Sequence, residues 1–186
     1  MSLPNLILNP TKFNSPYYKD LVEAADVASI VVARGNSVAG WDVLHPASGD
    51  RLPKADDNAT VLAREVHGVR VLLLSDLGEA GQVNLLESGQ DLRCDIVVVS
   101  MPGVGEPLGQ ALLEAISPKA IVFSAGTFPY AEIPSAGLLE RLAKRDVPLF
   151  NTLEDGGVEI VIRPGGLWQV VSMTGRLAMG GGSAAE

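Results

Sequence analysis

The chain has 186 residues, 47% hydrophobic and 19% charged, which suits a single globular domain with a substantial core and excludes a disordered chain. A formal net charge of −8 argues against direct nucleic-acid binding, because phosphate contacts are driven by Lys and Arg. The single cysteine, Cys94, excludes an intrachain disulfide and a Cys-rich zinc site.

Ser15 caps a helix with Pro16 at its first position, and Tyr17, Leu21 and Ala24 recur at helical spacing. A strand through Ile30-Val31-Val32 follows, then a Gly35-Asn36 turn and a strand at Trp41–Leu44. His45 to Asn58 is rich in Pro, Gly and Asp and reads as a long surface loop. Two strands, Thr60–Val66 and Val69–Leu74, flank a tight His67-Gly68 hairpin turn. The helix Glu79–Glu87 is expected to carry Val83, Leu85 and Leu86 inward.

Asp95–Val99 is almost wholly apolar, as in a strand buried on both faces. Beside it, Cys94 reads as a buried thiol without a nearby base. Pro107–Ile116 is helical, Ala120–Ser124 is another buried strand, and Ser135–Lys144 is a helix with Leu138, Leu139 and Leu142 as its stripe. The basic residues Arg141, Lys144 and Arg145 form that helix's solvated face and end. Val147–Asn151, Val158–Arg163 and Leu167–Ser172 read as strands separated by Asp155-Gly156-Gly157 and Gly165-Gly166 turns. Residues 1–173 are expected as one domain and 174–186 as a disordered tail, because glycine resists ordering. The fold class is therefore α/β with an α+β tendency, a mixed β-sheet flanked by helices. No apolar run approaches the ~20 residues that span a bilayer, and Met1–Asn5 does not open a signal peptide.

Asp56-Asp57-Asn58-Ala59-Thr60-Val61-Leu62, followed by Val69 to Leu77, resembles the metallo-β-lactamase-fold domain of the ComEC competence-protein family. There a "DNxSxVL" strand pairs with one ending in "LLTGDL". Val43-Leu44-His45-Pro46 is similar to the family's "VLHPP". Asp95–Val99 resembles the strand before "HHGS", and Ile116–Ala120 the "hxPKxAhhSxG" segment. Pro134-Ser135 with Leu138–Leu142 resembles its "HPSxxVLERL" helix. The resemblance runs from about Ser15 to Ile162 and implies the C-terminal half of an αββα sandwich. It further implies a soluble domain tethered to a membrane protein in DNA uptake, with the compartment of this chain itself left open.

Intact relatives use two divalent ions, zinc or manganese, to polarise a phosphoester and acidify a bound water. The resemblance puts Asp76 at the metal-bridging carboxylate, Met101 and Pro102 at the "HHGS" histidines, and Glu132 near a late histidine. With only two histidines, His45 and His67, the H-x-H-x-D-H cluster is absent. Met and Pro are not hard-metal ligands. No catalytic residue, metal ligand or cofactor is therefore expected, and Asp76, Met101, Pro102 and Glu132 read as a vestigial site. Asp76 is expected to cap the following helix, with Glu79 completing a capping-box pattern.

The other candidates are weak. His45 in a loop and His67 at a turn lack partner ligands, and Asp56-Asp57-Asn58 lacks the regular spacing of a calcium loop. Gly103-Val104-Gly105-Glu106-Pro107-Leu108-Gly109 follows a buried strand as a phosphate loop would, but Leu108 replaces the third glycine and Glu106 would repel phosphate. The leading expectation is a non-catalytic domain with a structural or interaction role. Half a sandwich should leave apolar sheet uncovered, so a homodimer or a partner domain covering it is expected. The alternatives are a phosphoester hydrolase with a rebuilt or intermolecular metal site, and a nucleotide-binding module on the Gly103–Gly109 turn.

Overall fold

The computed structural model describes residues 5–24, 28–127 and 133–182. Near the start, β1 (Asn5–Leu8) pairs in parallel with β2 (Ala28–Val31) across α1 (Pro16–Ala24), which begins at Pro16 as the sequence predicts and buries no residue. The body is a seven-stranded mixed sheet in the order β3 (Ser37–Val38), β4 (Trp41–His45), β5 (Val61–Val66), β6 (Val69–Ser75), β7 (Ile96–Ser100), β8 (Ala120–Ser124) and β9 (Leu149–Asn151). Neighbours from β3 to β6 are antiparallel, and those from β6 to β9 are parallel. Parallel neighbours need crossovers. Here α2 (Glu79–Glu87), α3 (Gln110–Ile116) and α4 (Ala136–Ala143) lie on those connections.

The alternation of side chains along each strand divides the core into two layers. Leu72, Leu74, Val97, Val99, Ile121 and Phe123 point to one face and pack with Leu85, Leu112, Leu113, Ile116, Leu138 and Leu142 of the helices. Val69, Val71, Ile96, Ala120, Val122 and Phe150 point to the other face. That second face is covered by a three-stranded antiparallel sheet, β10 (Val158–Arg163), β11 (Leu167–Ser172) and β12 (Leu177–Gly181), whose Trp168 and Val170 are buried against it. Burying one such large apolar side chain contributes ~1.5–3 kcal/mol, so this second layer stabilises the domain substantially. A four-residue helix, α5 (Thr152–Asp155), turns the chain from β9 into β10.

Several expectations need correction. Residues 177–181 are not a tail. They form β12, and Gly180 supplies the space in which the Trp168 indole lies, since a Cβ there would come within 2.6 Å of the ring. Ser183–Glu186 lie outside the described residues. His45 does not open a surface loop; it ends β4 and is fully buried. Val83, expected inward, is 49% exposed, because α2 turns Leu85 and Gln82 toward the core instead. The helix expected from Pro107 begins at Gln110, after Gly109 in the N-cap position.

Candidate functional site

Four parallel strands, β6 to β9, end on one edge of the sheet, the edge at which open α/β sheets bind ligands. They deliver Ser75-Asp76, Ser100-Met101, Ser124-Ala125 and Asn151-Thr152 to it. The structure thus brings Asp76 and Met101 to the ends of adjacent strands. Glu132 lies outside the described residues.

Asp76 is half-buried, and its Oδ1 accepts a hydrogen bond from the Ser75 hydroxyl at 3.0 Å. It does not cap α2. Gly78 holds the N-cap position without a side-chain acceptor, and Asp57 reaches in from the short 3-10 turn Asp56–Asn58. The Ala80 N–H donates to Asp57 Oδ1 at 3.2 Å, and the Lys54 N–H to Oδ2 at 3.3 Å. Glycine is required where α2 meets this turn. A Cβ at Gly78 would lie 2.4 Å from Asp57 Oδ1, and one at Gly81 would lie 2.4 Å from the Asp57 carbonyl oxygen. The Asp56-Asp57-Asn58 motif is therefore a buried buttress for α2. Asn58 finishes it, donating to the carbonyls of Leu52 at 2.9 Å and Lys54 at 2.6 Å.

The Gly103–Gly109 segment is fastened to the rest of the fold at several points. The Gly103 N–H donates to Asp56 Oδ2 at 2.8 Å. Gln82 donates to the Glu106 carbonyl at 2.7 Å and accepts from the Gly109 N–H at 2.9 Å. Glu106 pairs with Arg141 at 2.7 Å. Only seven residues follow in α3, and the Gly103 and Gly109 N–H groups are already taken by a carboxylate and a carboxamide oxygen.

Met101 packs half-buried against the helix-side core and Pro102 is buried, so the two positions beside Asp76 carry a thioether and a ring. Farther along the edge, the Ala125 N–H donates to Thr152 Oγ1 at 2.9 Å and the Thr152 hydroxyl donates back to the Ala125 carbonyl at 3.0 Å. Asp155 accepts from the Asn151 N–H at 2.8 Å and pairs with Arg176 at 2.7 Å. Burial opposes ionisation of Asp155, while that N–H, Arg176 and Thr174 outweigh it and leave its carboxyl below the ordinary range. These polar groups fasten strand ends to one another.

The two histidines sit at opposite ends of the sheet. His67, exposed at the β5–β6 turn, is on the edge away from Asp76. His45 ends β4, which runs parallel to β6, and so lies on the Asp76 edge, but it points into the protein. Its Nε2–H donates to the Asp57 carbonyl at 2.8 Å, and its buried Nδ1 has no hydrogen-bond partner among the described residues. Burial holds this imidazole's pKa below 6.5, partly offset by the Asp57 carbonyl and the nearby Asp50 charge. Cys94 is buried, and desolvation, with Asp95 beside it, pushes its thiol up to about 12, so thiolate chemistry at neutral pH is closed to it.

The residues present do not fit a metal pair. Among the described residues no group of three or more His, Cys, Asp or Glu side chains stands close enough to hold an ion. No family model matches the chain. Over 119 residues, 64% of the chain, it is 23% identical to ComE operon protein 3 of Bacillus subtilis (strain 168), and it spans 15% of that protein's length. Among the described residues no helix is long and apolar enough to cross a membrane.

Sequence reasoning missed Asp57 and Gln82, whose roles depend on contacts with residues 23 and 27 positions away. The paired glycines Gly78 and Gly81 are the one sequence sign that something presses on the start of α2.

Proposed function

We propose that this chain is a non-catalytic, metallo-β-lactamase-like domain of a ComEC-type competence protein, with a docking or assembly role. The observation that carries the reading is the donor set at the carboxyl edge of β6 and β7. Asp76 is followed across the sheet by Met101 and Pro102, neither of which offers a hard cation an electron pair of the right kind. A hydrolytic metal pair needs several His and carboxylate ligands converging on one pocket. The ordered resemblance from Val43 to Leu142 and the distant similarity to ComE operon protein 3 support the family assignment.

The test is phosphodiester hydrolysis with bis(p-nitrophenyl) phosphate and added zinc or manganese. The reading expects a rate equal to the protein-free control for the wild type, Asp76→Asn and Glu132→Gln alike. Turnover that vanishes in Asp76→Asn or Glu132→Gln would replace the docking role with a rebuilt hydrolase.

A further inference from the structure

The second-layer sheet ends in β10, and among the described residues no strand pairs with the far edge of β10. Which backbone groups that edge presents follows from the register. The Met173 N–H donates to the Gly157 carbonyl at 2.9 Å, so the 157–173 pair is hydrogen-bonded. The antiparallel ladder alternates, and with Val158 opposite Ser172 the residues bonded to β11 are Glu159, Val161 and Arg163. The N–H and C=O groups of Val158, Ile160 and Ile162 therefore face outward, with no backbone partner among the described residues.

Natural edge strands are blunted by proline, lysine, a bulge or a cover. Val158–Arg163 contains neither proline nor lysine, pairs with β11 without a register break, and has its charged residues only at Glu159 and Arg163. Below the same edge runs an apolar groove formed by Trp41, Val66, Leu73, Ile160 and Ile162, all half-buried. Arg64 lies at its rim, 6.0 Å from the Trp41 ring, and forms no ion pair with any described residue.

We propose that the free edge of β10 receives an extended polypeptide strand from a partner, which pairs with Val158, Ile160 and Ile162, sets alternate apolar side chains into the Trp41–Leu73 groove, and places a carboxylate on Arg64. This deepens the docking role proposed above and rests on it. A strand is the fitting occupant because a row of unpaired backbone groups needs another backbone, whereas a helix has already used its own. Alternation of the strand's side chains then matches a groove on one side and open solvent on the other. A second copy of β10 is a poor occupant. The two-fold axis that pairs antiparallel edges stands normal to the sheet, and each copy's β5, β4 and β3 extend beneath and beyond the edge, so the two large sheets would claim the same space.

The experiment uses the full chain and a fluorescent peptide of about ten residues that alternates valine with threonine and carries one central aspartate. A scrambled peptide with its valines clustered is the control. Amide hydrogen exchange is read by NMR, with affinity by anisotropy. In the free protein the Val158, Ile160 and Ile162 amides should exchange fast and those of Glu159, Val161 and Arg163 slowly. The alternating peptide should slow the first set about tenfold or more and leave the second set unchanged. Arg64→Glu should weaken binding about three- to fivefold, the scale of one exposed ion pair. Ile160→Pro, which removes an outward N–H while sparing the ladder to β11, should abolish binding. If that variant misfolds, the exchange pattern and Arg64→Glu still decide. Outward amides already protected in the free protein, protection that grows with protein concentration alone, equal binding of the scrambled peptide, or no binding at millimolar peptide would each overturn the proposal. None of those results touches hydrolysis or metal affinity, so the edge can fail while the non-catalytic reading stands.

Discussion

Asp57 is 2% exposed and serves three segments at once. Its carboxylate caps α2 and holds the Lys54 N–H, and its carbonyl accepts from His45. Truncating it removes a cap from a helix end with no local substitute. Asp57→Ala should therefore cost about 1–2 kcal/mol of unfolding free energy in urea, while Asp76→Ala should cost within about 0.5 kcal/mol, as for an ordinary surface position. The reverse order would restore Asp76 as the cap. His45 makes a second prediction. Its folded pKa lies below 6.5, so the fold prefers the neutral ring. The stability this confers is fully present above pH 6.5, where both states are neutral, and is lost as pH falls below it and the unfolded chain takes up a proton first. The unfolding free energy from urea titrations should drop between pH 7.5 and 5.5 with a slope of up to ~1.4 kcal/mol per pH unit, and His45→Gln should flatten it. An unchanged slope in that variant would show that the ring does not titrate differently on folding.

At the scale of elements, the legible parts were those whose pattern is local. β8, α2, β10 and β11 begin and end where the apolar runs and their flanking glycines place them, and β7 lies within a residue of its expected span. What stayed hidden depends on partners distant in the chain. β12 reads as a tail because Leu177–Gly181 is short and glycine-containing, yet Gly180 within it and Gly182 just after it are steric fits. Gly180 makes room for Trp168, and a Cβ on Gly182 would lie 2.2 Å from the Gly68 carbonyl, where backbone must give way. Gly181 has open space around its Cβ. Gly182→Ala should thus cost about 1–3 kcal/mol by overpacking, and Gly181→Ala should stay within about 0.5 kcal/mol. Equal, silent outcomes in thermal denaturation would mean that the end of the chain does not dock. At the candidate site, the placement of Asp76 beside Met101 was legible from motif order, because each follows directly on a buried strand. The capping role was not. An acidic residue ahead of a helix is an apt cap by composition, and only the fold shows that a different aspartate, from an earlier loop, occupies the position.

At the scale of the molecule, the large sheet is covered by helices on one face and, over β6 to β9, by β10–β12 on the other. The expectation of an uncovered apolar face is thereby narrowed to the groove at Trp41, Val66 and Leu73, beside the unpaired edge of β10. The proposed non-catalytic role requires that no divalent ion binds at Asp76. Linkage gives the most direct test, because any ion bound by the folded state alone must raise its stability, by ~2.7 kcal/mol when present at a hundredfold excess over its dissociation constant. The melting temperature of the purified chain should be unmoved by zinc or manganese at concentrations that saturate carboxylate–histidine sites. A rise of several degrees that Asp76→Asn removes would contradict it.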